Sequence, residues 1–191
     1  MSSIKTLKNH IPIAAPARRA PADGSKHGLR VSLGFEPGWF HKRCAVDFSK
    51  KWHEDPYYRR QTLQNMKAEL NHSFPDLTYW DENYKDCLST LSGCYGAYVI
   101  PAVFGFSLEY RKDRWPALSE TSAKLTVAEI NNLKVDRLLS GSFVSNLLTQ
   151  IETIEREWGK VCGYLNWQGV LNNAFHLRGE DRHLARWRSR S

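Results

Sequence analysis

The chain has 191 residues, 41% of them hydrophobic and 12% aromatic, enough for one ordinary domain with a core of its own. No run approaches the ~18–20 apolar residues of a membrane span, which argues against a membrane partner. The net charge of +7 sits at the two ends, at +4 over residues 1–28 and +4 over 182–191, leaving the body at −1. Basic tails flanking a near-neutral body do not make the basic face that nucleic acid requires.

Residues 1–28, with "APARRAPADGSKHG", are rich in Ala, Pro and Gly and read as a disordered basic tail. A cleaved targeting segment is the alternative there, since acidic residues are scarce. The body spans 29–181, and 182–191 is a second basic tail. "LRVSLGF" alternates Leu29, Val31, Leu33 and Phe35 with small or polar residues, the period of a half-buried strand over 29–34. "EPGWFHKRCAVDFSKKW" follows without clean periodicity. Asp55 then suits a helix N-cap and Pro56 the first helical position. Leu63, Met66 and Leu70 give that helix one apolar face, and Phe74-Pro75 ends it, so a helix is expected over 56–72.

"YGAYVIPAVFG" is a continuous apolar run closed by glycines and predicts a strand at 96–100 buried on both faces. "SLEYRKDRWP" reads as an irregular excursion with a short strand. Thr126 and Glu129 form a capping-box pattern that starts a helix over 127–134. Ser142 is placed to cap a longer helix over 143–158. Phe143, Leu147, Ile151, Ile154 and Trp158 form its core stripe, and Gly159 its left-handed stop. "VCGYLNW" predicts a strand at 161–166. Val170, Leu171, Ala174 and Phe175 predict one apolar side of a helix over 170–178 that Gly179 stops. The alternation of helix and strand in this last third implies α/β layering with a mostly parallel sheet.

The cysteines Cys44, Cys87, Cys94 and Cys162 form no C-x-x-C pair. They read as free thiols in a reducing compartment, taken as the cytoplasm. His41 and Cys44 in "HKRC" are two metal-type side chains without a third, so no metal site is predicted.

"PGWFHKR", "YVIPAVFG" and "GYLNWQGVLNNAFHLRG", in that order, resemble the uroporphyrinogen decarboxylase superfamily over about Leu29 to Gly179. That superfamily includes the haem-pathway decarboxylase and corrinoid- and cobamide-linked methyltransferases. The resemblance implies α/β architecture as a partial (β/α)8 TIM barrel. A complete barrel takes about 250 residues, so about its first half would be present. This implies a truncated or frame-shifted product of a longer gene, or a short homologue with a basic tail.

The decarboxylase motif P-V-W-x-M-R-Q-A-G-R-Y grips substrate carboxylates with two arginines. Here Pro37 and Trp39 match. Lys42 takes the first arginine's position, with Arg43 beside it, and Val46 takes the second. The family's pyrrole-binding aspartate falls on Gly96, and its T-Y-x-x-x-G tyrosine on Phe175. The resemblance therefore implies the methyltransferase-like branch rather than decarboxylation. Its partners would be a tetrapyrrole or methyl-carrying substrate and a corrinoid protein. No cofactor is expected in this chain, and any zinc would belong to the later half of a full-length parent. Barrel sites lie at the C-terminal ends of strands. That rule selects Trp39, His41, Lys42 and Arg43 after the first strand, and Asn166, Gln168, Asn172 and Asn173 after the last.

Overall fold

Asp55 and Pro56 start the longest helix as their side chains require. The structure, a computed structural model, describes residues 35–75, 88–122, 124–163 and 165–179. Helix α1 is Pro37–Cys44, α2 is Lys50–Glu54 and α3 is Pro56–Ser73. The Asp55 carboxylate accepts from the backbone N–H groups of Tyr57 at 2.9 Å and Tyr58 at 3.1 Å, and Pro56 opens the first turn. Leu63, Met66 and Leu70 are buried as the spacing predicts, and Phe74 caps the end. Helix α1 packs on α3. It stops at Ala45, whose φ of 55° is left-handed.

The segment expected as a buried strand at 96–100 is a turn followed by α4, Val99–Val103. The burial is as read only in part: Gly96 and Val99 are buried, while Ala97, Tyr98 and Ile100 are half-buried. The conformation differs because Gly93, Tyr95 and Gly96 all have positive φ, at 82°, 62° and 57°, which no extended strand can accommodate. Pro101 is the third residue of α4, where its missing N–H would have had no intrahelical acceptor.

"SLEYRKDRWPAL" forms an antiparallel hairpin of β1, Leu108–Arg111, and β2, Arg114–Leu118. Leu108 pairs with Leu118 and Arg111 with Arg114. Mixed helix and strand is therefore what the chain forms. Among the described residues, however, the sheet is this one antiparallel pair, not the parallel layer expected. In place of the strand expected at 161–166 there is one isolated bridge, Thr90 to Cys162 in parallel, and just beyond the span a second, Tyr98 to Trp167 in antiparallel. Gly163 interrupts the span with a φ of 85°. The strand expected at 29–34 and both tails lie outside the described residues.

The expected helix at 127–134 is two short ones, α5, Val127–Asn131, and α6, Val135–Leu139. The capping box forms in full: Thr126 N–H donates to Glu129 Oε2 at 2.6 Å, and Glu129 N–H donates to Thr126 Oγ1 at 3.2 Å. Lys134 then takes an extended conformation that breaks the helix. Helix α7 is Ser142–Trp158, with Gly141 in the cap position expected of Ser142 and Gly159 as its left-handed stop. Its predicted stripe does face the core: Ile154 is 1% exposed, and Phe143, Leu147, Ile151 and Trp158 pack against the buried cluster.

Helix α8, Val170–Arg178, ends at Gly179 as expected but turns a different face inward. Val170 and Leu171 are 81% and 62% exposed, while Asn173 is 7% exposed. The Asn173 amide donates to the backbone carbonyl of Gln168, just before the helix, at 2.6 Å, and α8 packs on α4.

Gly163 is the tightest backbone approach in this arrangement. A Cβ there would collide with Ser92 Oγ and lie 2.6 Å from Thr90 Oγ1, besides straining the positive φ. Gly105 has the same φ of 85° but open space around it. Gly163→Ala is expected to lose about 3 kcal/mol in urea unfolding, and Gly105→Ala about 1 kcal/mol. Equal losses would show that strain alone, not the approach to Thr90 and Ser92, sets the requirement.

Candidate functional site

The first group of expected site residues lies on α1, where Trp39, His41 and Arg43 are engaged by ring packing or hydrogen bonds. Trp39 sits among aromatic rings, with centroids 4.8 Å from Phe35, 5.0 Å from Phe40 and 6.2 Å from Phe74. The Arg43 guanidinium lies 5.7 Å from the Trp39 ring centre. It also donates to Glu69 Oε1 at 2.9 Å and to Ser73 Oγ at 3.1 Å. The bonds from Ser73 and Arg43 hold the Glu69 carboxyl below its ordinary range. His41 donates from Nδ1 to the carbonyl of Val46 at 2.8 Å, closing the turn after α1. Lys42 is exposed. The Cys44 thiol donates to the carbonyl of Phe40 at 3.2 Å, and burial followed by the Glu69 charge pushes its pKa up. A thiol in that condition is a poor nucleophile or metal ligand.

The second group gathers around the start of α8. Gln168 Oε1 accepts from His176 Nε2 at 2.9 Å, one turn and a loop away. The His176 ring meets Tyr98 edge-on at 5.1 Å, and burial lowers its pKa. Asn173 Oδ1 is buried without a partner. Asn166 is half-buried, Asn172 is exposed, and Trp167 is 65% exposed. The two groups are held by different elements: α1 packs on α3 and β2, and α8 on α4. Gly96 lies in the turn before α4, against Trp115 and Pro116. Phe175 is half-buried on α8.

A buried polar network, absent from the sequence expectations, occupies the centre. Arg59 is 1% exposed. Its Nε donates to the carbonyl of Thr90 at 2.9 Å. Its Nη1 donates to the carbonyls of Trp52 at 3.1 Å and His53 at 3.2 Å, and both Nη atoms reach Gln150 Oε1 at 3.0 Å. Gln150 in turn donates to Tyr95 Oη at 2.7 Å and to Asn146 Oδ1 at 2.8 Å. His53 accepts the Tyr95 N–H on Nδ1 at 2.9 Å and donates from Nε2 to the carbonyl of Phe48 at 3.1 Å. The ring is therefore neutral. Burial, reinforced by the Arg59 charge, drops its pKa to about 3, although the bond to Phe48 opposes the shift. Burial pushes the Tyr95 phenol up, so it keeps its proton. The Cys94 thiol is likewise pushed up by burial.

The sequence does carry a signal for this network. Arg59 precedes Leu63 by one turn on the apolar stripe of α3, and Gln150 lies between Leu147 and Ile154 on that of α7. A charged and an amide side chain inside apolar stripes must find each other or remain unsatisfied.

Chemically, the network is a clamp rather than a reaction centre. Both nitrogens of His53 are bonded to backbone, and among the described residues no carboxylate is a hydrogen-bond partner of Arg59. Among the described residues, no group of three or more His, Cys, Asp or Glu could hold a metal ion, and no helix is long and apolar enough to cross a membrane. Comparison with known proteins finds no matching family model, curated protein or solved structure.

Two measurements test the clamp. Arg59→Leu strips donors from three carbonyls and Gln150 Oε1, and is expected to cost about 3–5 kcal/mol in urea unfolding. A loss under about 1 kcal/mol would show that the network is dispensable. The second concerns His53, which stays neutral in the fold down to about pH 3 but ionises near 6.5 when unfolded. The unfolded state therefore binds the extra proton between those values, and stability falls with pH across that window. The slope due to His53 approaches about 1.4 kcal/mol per pH unit at its steepest. His53→Gln should start less stable at pH 7 and lose stability less steeply below pH 6.5. Parallel pH profiles for the two proteins would remove His53 as the cause.

Proposed function

We propose that the chain is a member of the uroporphyrinogen decarboxylase superfamily, nearer its corrinoid-linked methyltransferase-like branch than the decarboxylase, and catalytically silent by itself. The observation that carries this reading is the ordered occurrence of "PGWFHKR", "YVIPAVFG" and "GYLNWQGVLNNAFHLRG". The barrel architecture belongs to the same proposal. One detail supports it: the bridge from Thr90 to Cys162 is parallel and falls on the segment where the barrel reading expects a strand.

Silence follows from how the candidate groups are used. His41 and His53 bond backbone groups and His176 bonds Gln168, while Cys94 is fully buried. His41 and Cys44 each turn to a backbone carbonyl, so this pair does not fit a zinc site. A corrinoid protein and a methyl-carrying substrate remain the partners this branch implies, in a reducing, cytoplasmic setting.

A second reading, a non-catalytic tetrapyrrole-binding module, is favoured by the start of α8. There the Trp167 indole is 65% exposed, Gln168 follows it in the chain, and Asn172 is exposed on the first turn of α8. A flat macrocycle stacks on an indole face, and its carboxylates accept from carboxamide N–H groups. Decarboxylation is the least favoured reading. Lys42, Val46, Gly96 and Phe175 replace the family's two arginines, aspartate and tyrosine, and with them the groups that hold the substrate carboxylates and neutralise charge on the pyrrole.

The test is turnover of uroporphyrinogen by the purified chain, read as coproporphyrinogen formed, beside a titration of its tryptophan fluorescence with uroporphyrin. No turnover above background is expected, and clear turnover would overturn the reading. Quenching that Trp167→Ala abolishes would select the binding module; no quenching at all would reject it.

A further inference from the structure

We draw no further inference here: the strongest candidate outside the α8 surface, the exposed apolar side chains of Val127 on α5 and of Val135 and Leu139 on α6, is an unpartnered face, and nothing in the structure shows what covers it.

Discussion

A buried guanidinium that meets no carboxylate among the described residues sets the terms for this fold. Moving such a group out of water carries a desolvation penalty of several kcal/mol unless its donors are met. Arg59 meets that demand with three backbone carbonyls and one carboxamide oxygen, drawn from α2, from Thr90 and from α7. Each of those elements must therefore be where it is at the same time. The planar fork of arginine makes the requirement directional as well as electrostatic, and lysine could not reproduce it.

From that centre the neighbouring geometry follows. Gln150 is oriented by Arg59 through its oxygen and so presents its nitrogen to Tyr95 and Asn146. Tyr95 is held in a left-handed conformation by the bond from its N–H to His53, which keeps the turn before α4 tight. Around this polar core lies an aromatic shell. Trp115 of β2 packs edge-on against Phe48 and Trp52 at 5.7 and 6.0 Å, which seats the hairpin on α2. On the opposite flank, Arg60 lies 4.9 Å from the ring centre of Trp158 and ties α3 to the end of α7.

This organisation bears directly on function. Among the described residues, His41, His53 and the Cys44 thiol hold backbone groups, while the Tyr95 phenol and the His176 ring are engaged by side-chain carboxamides. Of the candidate site residues, Lys42 and Asn172 are exposed, and the Trp167 indole next to Gln168 is 65% exposed. Of the eight candidate site residues, Gln168 and Asn173 share a local cluster, because a carboxamide near a helix start satisfies backbone within a few residues. Trp39 and Arg43 went to aromatic packing and to Glu69, a partner 26 residues away that no local pattern announces.

What the sequence determined by itself was local. Asp55-Pro56, Thr126 with Glu129, Gly159 and Gly179 start or stop their helices as read, because a cap is satisfied within about four residues of itself. The apolar stripe of α7 was legible for the same reason: its period is set by the helix that carries it. Tertiary structure decided the rest. Whether "YVIPAVFG" and "VCGYLNW" become strands depends on neighbours to pair with, since a parallel strand has no hydrogen bonds of its own. Burial was written in the composition of "YVIPAVFG" but not realised in "VCGYLNW", whose described residues are half-buried or exposed; the conformation of neither was written there, and left-handed residues at 93, 95, 96 and 163 resolved it toward turns and the short α4. The central bond, from Arg59 to Gln150, spans 91 positions. Each residue showed only as a polar interruption in an apolar stripe, and only the packing of α3 against α7 brought donor and acceptor together.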